Sequence, residues 1–99
     1  MRFSILTLEK SLFDEEVKSV TLPTKAGEIT ILDGHIPLIS ALRMGTVTIV
    51  GREGDVTKVE IDGGFLEVRP PNANKTEAVV LAEGKIYETI SSMEAEWTT

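Results

Sequence analysis

The chain predicts an all-β fold, a two-sheet β-sandwich of about 8–10 short strands followed by one short C-terminal helix. Three observations lead there. Apolar and polar residues alternate with a period of two from Met1 to about Ala82. Glycine, proline and Asn/Asp clusters break that alternation at roughly 8–12-residue intervals, the spacing of sandwich or barrel strands. After Gly84 the period changes from two to between three and four, the repeat of a helix face.

The elements follow in order. Phe3 and Ile5 alternate with Arg2, Ser4 and Leu6, which makes the N-terminal segment a first strand; its apolar patch is broken by Glu9 and Lys10, too soon for a secretory signal. Val20 and Leu22 alternate with Ser19 and Thr21 until Pro23. Ile29 and Ile31 flank Thr30, and Asp33-Gly34 closes that run as a turn. Gly34-His35-Ile36-Pro37-Leu38 leads into a further apolar strand. Val47 and Ile49 lie between Gly45 and Gly51, and Gly51-Arg52-Glu53-Gly54-Asp55 is a hairpin tip. Thr57, Val59 and Ile61 share a face opposite Val56, Lys58 and Glu60. Leu66 and Val68 oppose Phe65, Glu67 and Arg69, and Pro70 to Lys75 forms a second polar tip. The run Ala78-Val79-Val80-Leu81-Ala82 is continuously apolar and is expected to be covered on both sides. The many β-branched residues suit a pleated, half-buried surface. Ile86, Ile90, Met93 and Trp97, at intervals of four, three and four, mark one face of a helix. Residues 1–83 are therefore read as the sandwich and 84–99 as a helical tail, which either docks back on the sandwich or meets a partner.

Composition narrows the function. With 99 residues there is room for one core, and 41% hydrophobic residues are enough to fill it. A formal charge of −6 argues against nucleic acid or anionic lipid as the main ligand, because both select clustered Lys and Arg. The absence of cysteine removes disulfides, thiol nucleophiles and thiolate metal sites. No apolar run approaches the ~18–20 residues that span a bilayer. His35 is the single histidine, so it reads as a turn residue whose ring bonds backbone, or as a partner contact. The acidic pairs Asp14-Glu15-Glu16, Glu53/Asp55 and Glu94/Glu96 read as solvated surface. There is no phosphate-binding glycine loop and no calcium loop. Gly63-Gly64 permits either a strand bend or the close approach of a second backbone. Neither catalysis nor a cofactor is expected.

Taken together, several of these segments resemble the N-terminal β-sandwich domain of the epsilon subunit of F-type ATP synthases. Ala26-Gly27-Glu28-Ile29 followed by Gly34-His35-Ile36-Pro37-Leu38 is similar to that family's Gly-Glu and Gly-His-x-Pro-Leu signature. Ser11-Leu12-Phe13-Asp14, Leu42-x-x-Gly45, Gly63-Gly64-Phe65-Leu66-Glu67-Val68 and Val80-Leu81-Ala82-Glu83 continue the resemblance in order over about eighty residues. The resemblance implies a non-catalytic central-stalk part that links the gamma subunit to the c-ring, for ATP synthesis coupled to ion transport. It implies a c-ring-facing loop at Gly27 and Glu28 with Gly34 and His35 close by, and gamma-facing positions at Ser40, Thr46 and Asp62. It further implies no nucleic-acid partner, no direct insertion in the membrane, a monomer when isolated, and a peripheral location at the cytoplasmic face of the bacterial plasma membrane. The family's two-helix C-terminal hairpin, which brakes ATP hydrolysis, is not expected from the sixteen residues after Glu83. The competing expectation is a free-standing β-sandwich adaptor, recognised by an apolar groove or an open sheet edge.

Overall fold

The computed structural model describes residues 1–72, 75–83 and 86–88. Among them are nine strands: β1 (Arg2–Leu6), β2 (Ser11–Thr24), β3 (Gly27–Leu32), β4 (Leu38–Leu42), β5 (Gly45–Gly51), β6 (Val56–Ile61), β7 (Gly64–Asn72), β8 (Lys75–Ala82) and β9 (Ile86–Glu88). One hydrogen-bonded ladder runs β1-β8-β7-β4-β2-β5-β6-β9, with β3 added to β2 and β1 also paired to β2. The ladder folds into the two layers of a sandwich.

The long strand β2 makes the fold possible. Its first half pairs antiparallel with β1, Arg2 opposite Glu16 and Ile5 opposite Phe13. Its second half pairs with β3 on one side and β5 on the other, Thr21 standing opposite both Thr30 and Thr48. The register slips between Val17 and Ser19, where the strand turns from one sheet into the other; a bulge there supplies the bend that a corner needs. Alternation in Val20–Leu22 reveals only the second half. Pro23 does not end the strand: it is buried, sits opposite Glu28, and its carbonyl accepts from Arg43 N at 2.9 Å.

The first sheet thus comprises the start of β2 with β1, β8, β7 and β4, and the second comprises β3, the end of β2, β5, β6 and β9. Phe3, Ile5, Leu66, Val68, Ala78 and Val80 from the first sheet meet Val20, Leu22, Ile31, Val47, Ile49, Val59 and Ile61 from the second in one core. Every one of these sits at a core-facing position of a period-two strand. The β8 run is covered on one side only. Ala78, Val80 and Ala82 are buried, whereas Leu81 faces outward and is 42% exposed.

At the C-terminal side, Ile86–Glu88 pair antiparallel with β6 as a ninth strand, Ile86 opposite Ile61. Ile86 therefore belongs to a sheet edge rather than to the start of the expected helix. The rest of the apolar stripe, Ile90, Met93 and Trp97, lies outside the described residues.

One outward ion pair carries a pH dependence. Arg2 Nε donates to Asp14 Oδ1 at 2.7 Å, and Ser4 Oγ donates to the same oxygen at 3.1 Å. The Arg2 bond holds the Asp14 carboxyl below the usual carboxylate range. A depressed folded-state pKa means that the contribution is present above the unfolded value of 3.8 and disappears as pH falls through the lower folded value. Asp14→Asn should therefore lower the urea midpoint slightly at neutral pH, and the gap to the parent should close in acid.

Candidate functional site

The strands end in two groups of loops, and the paired registers assign each loop to one group. The first end gathers the Thr7–Lys10 turn, the β2–β3 turn at Lys25-Ala26, the β4–β5 turn at Arg43-Met44, Asp62-Gly63 and Glu83. Two reciprocal backbone bonds lace the middle turns together: Lys25 N donates to Ala41 O at 3.0 Å and Arg43 N to Pro23 O at 2.9 Å. Glu83 N donates to Gly63 O at 3.0 Å and ties β8 to the same end. Thr24 Oγ1 accepts from Ala26 N and donates to the Gly27 carbonyl, and Gly27 takes a positive φ of 128° that closes the hairpin. Glu28 follows it, exposed on the outer face of β3.

The second end holds Met1, the Asp33–His35 turn and the tip at Gly51–Asp55. The Met1 amine donates to Val17 O at 3.0 Å and to Asp33 Oδ2 at 3.1 Å. Gly34 N donates to Thr76 Oγ1 at 2.7 Å, and His35 N to Leu32 O at 3.1 Å. His35 Nδ1 donates to the Ile36 carbonyl at 2.7 Å, so the ring fastens its own turn, as the sequence suggests.

The structure therefore does not bring Gly27 and Glu28 next to Gly34 and His35. Gly27 and Glu28 open β3 and Gly34 lies beyond its last residue, Leu32, so Glu28 and Gly34 are about 20 Å apart along the chain at ~3.3 Å per residue. What joins the two pairs is the outer side of β3, where Glu28, Thr30 and Leu32 are exposed and where, among the described residues, β2 is the strand's single neighbour. Thr46 and Asp62 share the open end of the β5–β6 pair, because Gly45 stands opposite Ile61. Thr46 Oγ1 donates to Glu60 Oε1 at 2.7 Å. Ser40 lies apart from both, half-buried in the first sheet opposite Leu66.

A second surface is absent from the sequence reading. Across the outer face of the first sheet Leu6 stands opposite Leu81, Leu81 opposite Phe65 and Phe65 opposite Ala41. Phe65 is 51% exposed, and Leu8, at the tip of the neighbouring turn, is 96% exposed. Thr7, Leu8, Glu9, Phe65, Leu81, Ala82 and Glu83 line an open cleft of about 510 Å³. Toward the other end the apolar row gives way to ion pairs, with Arg69 bonded to Glu77 at 3.2 Å and Glu67 at 3.3 Å. Alternation around Leu66 and Val68 already places Phe65 outward. What it cannot supply is the register that sets Phe65 beside Leu81.

A two-layer sandwich with hydrogen-bonded end loops and an apolar outer face defines the chain as a β-sandwich domain. The family model for the ATP synthase Delta/Epsilon chain β-sandwich domain matches residues 1–84, and the chain belongs to that family. Over 70 residues it is 46% identical to an ATP synthase epsilon chain of Bordetella petrii and 41% identical to that of Bordetella avium. Each match covers 71% of this chain and 50% of the relative, so the chain spans about half the length of the curated relatives it matches. Among solved structures, a chain of the Euglena gracilis mitochondrial ATP synthase (OSCP/F1/c-ring, rotational state 1) superposes with a TM-score of 0.76 at 18% identity, covering 97% of this chain and 59% of that one. A chain from the Tetrahymena thermophila mitochondrial ATP synthase central stalk and c-ring superposes with a TM-score of 0.63 at 16% identity, covering 87% and 64%. At these identities the likeness is one of fold.

Proposed function

We propose that the chain is a non-catalytic central-stalk subunit of an F-type ATP synthase, held between the gamma subunit and the c-ring so that ion-driven rotation is coupled to ATP synthesis. The family match along residues 1–84 carries this reading. The physics suits it. A body that transmits torque must resist deformation, and interdigitated aliphatic side chains between two sheets form a close-packed, stiff layer. The cross-laced turns at the first end extend that stiffness to the loops.

The c-ring contact is assigned to Gly27 and Glu28 and, along the open side of β3, to Gly34 and His35. Glu28 offers a carboxylate to basic or amide groups of the c-ring's polar loops, a charge-assisted hydrogen bond. Thr46 and Asp62, and Ser40 on the first sheet, are assigned to gamma. The location is peripheral, at the cytoplasmic face of the membrane; among the described residues no helix is long and apolar enough to cross one.

Co-purification with gamma and the c-ring tests the reading. Glu28→Lys should weaken attachment to the c-ring by about tenfold or more, with the loss greatest at low salt. Undiminished attachment of that variant would reject the assignment of Glu28. Failure of the parent chain to join either partner would reject the function itself.

A further inference from the structure

Thr76 places a hydroxyl where the core would accept an aliphatic side chain. It heads the inward row of β8 that continues through Ala78, Val80 and Ala82, and it is 1% exposed. A hydroxyl buried there is costly unless its oxygen is used. Ser4 and Thr24, the other buried polar side chains among the described residues, bond close by. Ser4 donates to Asp14 across the β1–β2 pair, and Thr24 serves its own hairpin. Thr76 reaches farther. Its Oγ1 accepts from Gly34 N at 2.7 Å, 42 residues away in sequence, so a strand of the first sheet holds the turn that follows β3 of the second.

That turn needs a holder. Among the described residues β2 is the single neighbour of β3, and Asp33 and Gly34 are exposed beyond the strand's end. The bond from His35 N to Leu32 O closes the turn on itself without fixing where it sits on the sandwich. The Met1 amine ties the neighbouring Asp33, but through a carboxylate that is largely exposed. The Thr76 oxygen is the buried acceptor, and from Glu77 onward its strand is flanked by both β1 and β7, which makes it a stiff anchor. We infer that Thr76 is the positioning residue for Gly34 and His35: its hydroxyl oxygen sets how this turn is presented to the c-ring, although its own side chain is buried. The inference rests on the stalk reading above and deepens it, because it adds a residue that acts on the c-ring contact through another.

Two measurements on the full chain test it. The first is amide exchange by NMR. Gly34 is exposed, so slow exchange of its N–H reports the bond to Thr76. Thr76→Val keeps the side-chain shape and removes the acceptor; it should speed that exchange about tenfold or more, and Thr76→Ser should restore the parent's rate. The second is titration of detergent-solubilised c-ring and, separately, of purified gamma subunit from the same complex. Thr76→Val should weaken c-ring binding about tenfold, Thr76→Ser should bind as the parent does, and gamma binding should change by less than about twofold. Added to His35→Ala, Thr76→Val should weaken c-ring binding little further, because both act through one turn. Equal losses toward gamma and the c-ring, or c-ring binding by Thr76→Val within about twofold of the parent, would overturn the role of Thr76 and leave the stalk reading intact. Exchange of the Gly34 N–H at an open-loop rate in the parent would do the same, even if Thr76→Val failed to fold. A parent chain that binds gamma but not the c-ring would overturn the inference, and one that binds neither would overturn the stalk reading with it.

Discussion

Gly64→Ala should destabilise the domain by about 4 kcal/mol, the sum of backbone strain and overpacking. Gly64 opens β7 with a φ of 142°, a conformation that residues bearing a Cβ rarely adopt. A Cβ there would overlap the Leu81 carbonyl oxygen and come within 3.0 Å of Ala82 Cα. Both obstacles are backbone of the paired strand β8, where Gly64 stands opposite Ala82, so no rotamer change relieves them. Relief would require β7 and β8 to part, and β8 also carries β1. Since a domain of this size is stable by roughly 5–15 kcal/mol, the loss is a large share of the total. Urea denaturation followed by far-ultraviolet circular dichroism measures it directly. A change below about 1 kcal/mol would show that the two strands do not approach as described.

Phe3→Ala should cost about 3–5 kcal/mol, the usual range for removing a fully buried aromatic side chain. Phe3 is wholly buried, and its ring lies 6.0 Å from that of Phe13 at a tilt of 51°. Its strand, β1, sits between β2 and β8 and is parallel to the latter, with Phe3 opposite Ala78. The cavity would therefore open where the beginning and the end of the sandwich meet. Phe65 provides the contrast. It is also an aromatic residue on a strand, but half-exposed on the outer face, so Phe65→Ser should change the urea midpoint far less than Phe3→Ala. If the two variants lost equal stability, the assignment of faces would be wrong.

Much of the architecture was legible before any coordinates. Alternation assigned Phe3, Ile5, Val20, Leu22, Val47, Ile49, Leu66 and Val68 to inward faces, and the structure buries all of them. The Gly51–Asp55 tip is a hairpin, closed by Gly51 N donating to Asp55 O at 2.7 Å. The β8 run misled for a specific reason: five apolar residues in a row hide the period, and periodicity alone cannot tell a strand covered twice from one with an exposed apolar outer face. The exposed Leu81 follows from that ambiguity. The first half of β2 was missed because Phe13, Asp14, Glu15 and Glu16 show no alternation. Its pairing with β1 comes from the corner at Val17 rather than from its own pattern.

The candidate surfaces divide in the same way. Gly27, Glu28, Gly34 and His35 stand out as residues in sequence, yet their separation along β3 appears only when that strand is extended. In sequence Leu8 belongs to the apolar patch of the N-terminal segment, and Phe65 to the face opposite Leu66 and Val68. They become one cleft through the antiparallel pairing of Leu81 with Phe65 and the parallel pairing of Leu6 with Leu81, the latter between the first strand and the eighth.

Residue order alone determined the β class, the inward face of most strands, the places where the chain turns and the absence of thiol chemistry, because side-chain periodicity and turn propensity are local properties. Which strands became neighbours, where β2 folds from one sheet into the other, and which outward side chains came to share a surface were decided by tertiary structure. Those depend on non-local registers, set by the joint packing of two sheets around one core, and no short window of sequence contains them.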